Sequence, residues 1–516
     1  NGVINIITKK AEGRETAQTF RLADDDLTLS TGITHSMPFA AGDVRGYLRY
    51  SDRTNSALTG ESTQRVWDDY RAGFRYDGIP AENHELLIEG DLQHSDFAQW
   101  DYLFLTAPPP GTPLTDSYQK SGNVLVRYSV EGADHSTTVQ AYYDAVDRHQ
   151  QVVNYLNRTL DVELRTVRVP GERWVLNLGG GLRRIADSFA ELPTIEPDPA
   201  DRVTYLWNAY SQAEFAARAG RLRLIAGAKI ERSSTAGIHV SPTLRLSHRF
   251  AGHRVLWAGV SRAVSTPART YEDIALRMTG LLSGGVPVYL TLRPGEDLVE
   301  RVTAFEAGYR TPLRHWLSAD VVTYLNRYDR LLGTITPPPV LTIEPGGARV
   351  DAEATWATGP AAETWGAELA LEANRLGPIS RLRLGYTYFR LAVGEEAPRY
   401  APANPIGSSP THQAFSNLTI PLPRSVELDT TLRYTSRLDK VLSTSIDEFA
   451  AGEFAVVEPY VTVDAQIRWN PLDRMHLAVG VRNLGGPDGP EFRDLLLGNS
   501  PHEVHESFYS LIRWEI

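Results

Sequence analysis

Apolar and polar residues alternate with a period of two along most of the chain, and the last third shows it most cleanly. In YVTVDAQIRW, Val461, Val463, Ala465, Ile467 and Trp469 fall on one face and Tyr460, Thr462, Asp464, Gln466 and Arg468 on the other. VELDTTLRY sets Val426, Leu428, Thr430, Leu432 and Tyr434 against Glu427, Asp429, Thr431 and Arg433. LRLIAGAKIE sets Leu222, Leu224, Ala226, Ala228 and Ile230 against Arg223, Lys229 and Glu231. Each run reads as a strand with one oily face and one face carrying charges of both signs.

The links between runs alternate as well. FAGH (250–253), LGPIS (376–380), PLPRS (421–425) and NPLDR (470–474) are short, and their Gly, Pro and Asn residues mark turns. The other links are long, at 266–300, 331–364, 392–409, 439–457 and 484–504. Strands counted from Glu15 onward number about 22, antiparallel, with tight turns at one end and long loops at the other, the pattern of an outer-membrane barrel. A β-propeller would repeat its sequence every 40 to 50 residues or so, and no such repeat is seen. A sandwich does not call for two classes of loop length. The expected fold is therefore all-β: a transmembrane antiparallel barrel with long extracellular loops and short periplasmic turns.

Composition sharpens this. At 516 residues a soluble chain would ordinarily divide into domains, whereas a closed barrel takes that length as one unit. Hydrophobic residues make up 42% with no run of about 18 apolar residues, which excludes a transmembrane helix but not barrel strands, whose alternation averages out. A net charge of -11 argues against a nucleic-acid partner. The absence of cysteine excludes disulfides, thiol catalysis and Cys-ligated zinc.

In the last strand, HESFYSLIRWEI, Phe508, Ile512, Trp514 and Ile516 share one face, with Arg513 and Glu515 on the other. The chain ends on Ile516 where assembly signals of this kind end on an aromatic, with Trp514 supplying one two residues earlier. At the other end, NGVINIITKK places Val3, Ile4, Ile6 and Ile7 in a short buried strand closed by Lys9 and Lys10. This segment resembles the strand that ends the plug domain of TonB-dependent outer-membrane receptors. SRAVSTPAR (261–269), ERVTAFEAGYRTPL (300–313), LSADVVTYLNRYDRLL (317–332), WGAELALEANRL (365–376) and AVGVRNLGGPDGPEF (478–492) are similar to further motifs of that family, in its order and across the whole chain.

The resemblance implies two parts: residues 1–10 as the closing strand of a truncated plug, and 11–516 as the barrel. It implies active uptake of a large, scarce solute, first of all a ferric siderophore, with cobalamin, haem or an oligosaccharide as alternatives. The implied partners are the TonB-ExbB-ExbD complex, reached through the missing N-terminal region, outer-membrane lipid and lipopolysaccharide, and the barrel-assembly machinery. The rivals from other classes are a passive diffusion porin and a purely structural or adhesive barrel.

No catalytic residue, cofactor or metal site is expected. HEVHE (502–506) lacks the second terminal His of a zincin helix, although His502 and His505 stand in a loop where a ligand would pass. GGG (179–181) suits a tight inner wall. Parity in TAFEAGYR turns Thr303, Phe305, Ala307 and Tyr309 to lipid and leaves Glu306 and Arg310 inward, where charge avoids the cost of about 2–4 kcal/mol for an Arg facing midplane lipid. In VRNLGG, Val479 and Val481 face out and Arg482 in. Arg468 is a further inward charge. These four, Glu306, Arg310, Arg468 and Arg482, are expected to touch plug or lumen water. For ligand capture the aromatic-rich DFAQWDYLFL (96–105), assigned to the third outer loop, offers Phe97, Trp100, Tyr102 and Phe104, against the competing reading of an interfacial girdle. Tyr271, Arg277 and Tyr289 in the seventh loop and Tyr400 in the ninth are further candidates.

Overall fold

Alternation along each strand closes the chain on itself. A computed structural model describes residues 8–11, 13–23, 28–54, 66–99, 115–217, 219–281, 285–345, 347–394, 400–402, 408–442, 454–486 and 506–516. In it, 22 strands pair antiparallel from Glu15–Ala23 round to Ser507–Glu515, and these two pair with each other from Ala17 opposite Glu515 to Ala23 opposite Tyr509. No edge is left unpaired in the ring, which is how a membrane barrel satisfies every ladder group. Among the described residues no helix is long and apolar enough to cross a membrane.

The sidedness read from the sequence is observed. Phe508, Ile512, Trp514 and Ile516 are exposed on the outer wall, as are Val461, Ile467 and Val479. The inner wall is polar and its charges pair across strands: Arg468 donates to Asp429 at 2.6 Å and Arg433 to Asp464 at 2.7 Å. Aromatics on this wall lie over glycines. A Cβ on Gly179 would stand 2.4 Å from the Tyr210 ring, so the first glycine of the GGG run is there for close approach. Where tight turns were expected they occur, as at Ala251–His253, whose Gly252 takes φ +73° in the left-handed region.

The long links differ from expectation: several are folded. Ile195–Pro197, Ile274–Leu281, Pro287–Arg293, Leu332–Ile335, Val340–Glu344, Gly347–Thr358 and Tyr400–Pro402 form a seven-stranded sheet at the long-loop end. The reason is the same alternation on a smaller scale. Ile274, Leu276 and Met278 on one strand and Val288, Leu290 and Leu292 on the next fall on a common face, and with Leu298, Ala354 and Trp356 they make a core. Val152, Val153 and Phe189, from the barrel rim, pack against that core and seat the sheet. Burying each large aliphatic contributes about 1.5–3 kcal/mol, whereas an isolated hairpin in water is marginal. A second, two-stranded piece joins Leu438–Leu442 to Phe454–Val457.

Candidate functional site

Three features of the inner wall and rim bear on function: a polar clamp at the short-turn mouth, an aromatic and guanidinium row in the upper lumen, and the anchored sheet above.

At the short-turn mouth, Arg75 and Asp77 lie on the inward face of Val66–Gly78, and Arg75 binds Asp77 through two nitrogens, both at 2.7 Å. Glu89 lies 3.3 Å from the same guanidinium. These groups hold the segment before the first barrel strand. Arg75 donates to the Thr8 hydroxyl and carbonyl, Thr8 Oγ1 donates to Glu89 at 3.0 Å, Arg45 donates to the Lys9 carbonyl at 3.0 Å, and Ala11 N–H donates to Asp77 at 2.9 Å. The stretch 8–11 therefore runs along the inner wall. The preceding apolar residues, Val3 to Ile7, lie outside the described residues. Arg75→Ala is expected to speed hydrogen exchange at Ala11 about tenfold, the equivalent of about 1.4 kcal/mol for a charged hydrogen-bond network losing its centre. Unchanged exchange would mean that Asp77 holds the segment unaided.

The second feature lies on the inward face near the long-loop end. Arg53, Trp67, Phe97 and Ser117 follow one another across four strands in direct register. The rings of Trp67 and Phe97 are 5.8 Å apart at 39°. The Arg53 guanidinium lies 5.6 Å from the Trp67 ring, and that of Arg148 lies 5.9 Å from Phe97. Two rings are thus bracketed by two cations, each within cation–π reach. Arg148 Nε is buried with no hydrogen-bond partner among the described residues. Directly below, Asp69 is occupied: Arg71, Gln93 and Ser95 all donate to it at 2.7 Å. The row is left with a net positive charge and an open aromatic face, since Trp67 remains 43% exposed.

Phe97 was expected in a loop, but the strand His84–Gln99 continues through it. It shares parity with Glu89, Asp91, Gln93 and Ser95, so it faces the lumen. Trp67, Arg53 and Arg148 were not singled out from sequence. The usable signal was strand parity, which puts Trp67 on the charged face with Arg71 and Arg75. Trp100, Tyr102, Phe104, His502 and His505 lie outside the described residues.

The remaining candidates disperse. Tyr271 packs edge-on against Trp356, centroids 4.6 Å apart, at the margin of the sheet core. Arg277 pairs with Glu196 on the polar face of the sheet, and Tyr289, 45% exposed, stands opposite Thr279 and Asp351. Tyr400 stands opposite Ile335 at the end of the sheet. Arg310 binds Asp320 at 2.5 Å on the inner wall, Arg468 binds Asp429, and Arg482 lies 4.6 Å over the Tyr509 ring. Glu306 stands opposite Gly259 and Tyr324. Among the described residues, no group of three or more His, Asp or Glu is placed to hold a metal ion.

What anchors the sheet is a compact charge network. Arg202, at the rim end of a barrel strand, donates to Glu272 at 2.5 Å and to Asp273, and Arg269 donates to Asp273 at 2.9 Å. Arg269 also donates to the Pro199 and Ala200 carbonyls and lies 5.1 Å over Phe189, which stacks on Tyr155. Arg269 closes the SRAVSTPAR motif, so that motif's last residue has a structural task here. Farther out, Arg330, 2.9 Å away, holds the Asp297 carboxyl below its usual range, and hydrogen bonds from Arg349 and Thr342 do the same for Asp351.

The chain matches the family model described as TonB dependent receptor-like, beta-barrel, over residues 18–484. A comparison with curated proteins gives no match. Among solved structures, the siderophore receptor PirA of Acinetobacter baumannii is similar at 14% identity and a TM-score of 0.79, covering 99% of this chain and 82% of that one. A mutant of the ferric enterobactin receptor PfeA of Pseudomonas aeruginosa, in complex with enterobactin, is similar at 14% and 0.76, covering 100% and 83%. The FrpB iron transporter of Neisseria meningitidis is similar at 11% and 0.70, covering 98% and 82%.

Proposed function

This chain belongs to the TonB-dependent receptor β-barrel family, a Gram-negative outer-membrane class, and on that premise we propose that it takes up a ferric siderophore. The observation that carries the reading is the row Arg53, Trp67, Phe97, Arg148. An iron chelate built on aromatic ligands is flat-faced and anionic, and the row offers two rings to stack on and two guanidiniums to meet the charge. A neutral oligosaccharide would use the rings but leave the cations without a counter-charge. The likeness to PirA, a siderophore receptor, and to PfeA, a ferric enterobactin receptor, supports the same cargo class.

Transport makes and breaks no bond in this reading. Cargo enters between the loops and rests on the upper lumen. A plug domain then moves when pulled by the TonB-ExbB-ExbD complex, and the clamp at Arg75 and Asp77 fixes where residues 8–11 meet the wall. The barrel-assembly machinery inserts the protein, and lipid and lipopolysaccharide surround it.

The test is tryptophan fluorescence of the full-length receptor titrated with ferric siderophores, haem and cobalamin. Saturable quenching by a ferric siderophore is expected, with Arg53→Gln and Phe97→Ala each weakening binding about tenfold, as for a partly desolvated cation–π or stacking contact. Quenching by haem or cobalamin alone, or siderophore binding indifferent to both substitutions, would sink the assignment.

A further inference from the structure

We propose that a small cavity at the short-turn mouth, inside the barrel, binds a free phosphate ion, and that the bound ion ties residues 8–11 to the wall. The proposal does not depend on the cargo. The cavity measures about 120 Å³ and is lined by Lys9 and Lys10, from the segment before the first strand, together with inward residues of four strands. Register gathers those residues. Glu15 stands opposite Ser36 and Ser36 opposite Arg45, while Thr19 stands opposite Arg513. The first and last barrel strands therefore meet the second and third at this point, with the incoming segment beside them.

Four cations line this space, Lys9, Lys10, Arg45 and Arg513, against one carboxylate, Glu15. Glu15 is shared, since Lys9 lies 3.1 Å from it and Arg513 3.7 Å. Arg513 also pairs with Glu515 at 2.8 Å, and Arg45 spends one nitrogen on the Lys9 carbonyl. With both glutamates counted, the positive charges still outnumber the negative. Asp77, whose field reaches Lys10, is already taken up by Arg75 through two nitrogens. Asp43 stands two residues nearer the turn than Arg45 and does not line the cavity. Lys10 makes no hydrogen bond or ion pair among the described residues. Arg513 Nε is buried with no hydrogen-bond partner among them. Like charges held together repel, and an anion set among them turns that repulsion into attraction.

Size and lining choose the anion. The cavity falls well short of the roughly 300–1,000 Å³ of a pocket for a larger organic ligand, so it suits an ion of a few atoms. Its other polar groups are the hydroxyls of Thr19, Thr34 and Ser36, which both donate and accept. Phosphate presents four oxygens to such a mixed set: guanidiniums meet it with paired hydrogen bonds, ammoniums as point charges, and hydroxyls with single bonds. An ion touching Lys10 on one hand and Arg513 on the other joins the incoming segment to the last strand. The hold on residues 8–11 then has two parts, the clamp at Arg75 and Asp77 and a phosphate-dependent bridge.

The full-length receptor in detergent is titrated with sodium phosphate at constant ionic strength, with sodium chloride as the matched control. Binding is read by calorimetry, and hydrogen exchange of residues 8–11 by mass spectrometry. One phosphate per chain is expected, and at ten times its Kd exchange of the segment should slow about tenfold, since the ion holds only the seated form. K10Q and R513Q should each weaken binding about tenfold, as for the loss of one charged hydrogen bond. R327Q, which removes an outward arginine paired with Glu363, should leave binding unchanged. Heat-dependent gel migration shows that each variant is a closed barrel. Lys10 is exposed and lies before the first strand, so K10Q decides should R513Q not close. The absence of saturable binding, equal slowing by chloride, or a phosphate affinity indifferent to K10Q would each overturn the proposal.

Discussion

Asp273→Ala should release the seven-stranded sheet from the barrel rim while the barrel itself stays closed. Asp273 is the one acceptor shared by Arg202, on the wall, and Arg269, in the short helix that leads into the sheet. The side chains of Arg202, Arg269 and Asp273 are 16%, 9% and 11% exposed, so the charges are largely out of water. Removing the carboxylate leaves two guanidiniums facing one another with Glu272 alone between them. Breaking a buried pair by deleting one partner costs about 3–5 kcal/mol, mostly from the charge left behind. The cost falls on docking and not on the barrel, whose ladder does not pass through Asp273. Hydrogen exchange should accelerate across Ile274–Leu281 and Pro287–Arg293 while Asp201–Ala217 stays protected. If exchange in those two strands is unchanged, the apolar seat on Val152, Val153 and Phe189 holds the sheet by itself.

That anchoring matters to the upper lumen because a sheet fixed to the rim gives it one rigid boundary. The row at Arg53 to Arg148 is built on barrel strands, and a rigid platform positions binding groups better than free loops do. Under the proposed function, loss of the anchor should therefore weaken cargo binding less than loss of the row itself.

How much of this was legible depends on the scale of the pattern. Barrel strands are long and wet on one side, so period two and the alternation of short and long links were enough to count them and to assign Phe305 and Val479 outward, Arg310 and Arg482 inward. The sheet at the rim was missed because most of its strands are short and its apolar face is buried by distant partners: Leu276 meets Leu292 within one connection, but Trp356 and Ile195 arrive from two others. Local alternation in IALRMTGL was present, yet nothing local says which loop completes the core. The upper-lumen row failed for a different reason. Its residues lie on different strands and are brought together only by register, so Arg53 and Arg148 look like any inward charge until Trp67 and Phe97 are seen between them. Phe97 itself was drawn into a loop by the aromatic residues that follow it, although its parity with Gln93 and Ser95 pointed to the lumen.

Trp356→Ala should dissolve the core of that sheet, and comparison with Trp356→Phe separates packing from polarity. Trp356 is 4% exposed, lies edge-on to Tyr271 and sits among Leu276, Leu292 and Leu298. Truncating a buried tryptophan costs about 3–5 kcal/mol through lost contacts and the cavity left behind, more than a small sheet has to spare. Exchange should rise together across Pro287–Arg293 and Gly347–Thr358, because those two strands pair in parallel and share this core. The indole Nε1 is buried without a hydrogen-bond partner among the described residues, so the native ring already carries the cost of an unmet donor. Phenylalanine removes that donor at the expense of some volume, and the two effects oppose. Trp356→Phe is expected to change exchange by less than about tenfold, within the cost of a modest hydrophobic swap. If Phe proves as damaging as Ala, the N–H has a partner in solution, and the ring's place in the core would have to be explained by that bond and not by its bulk.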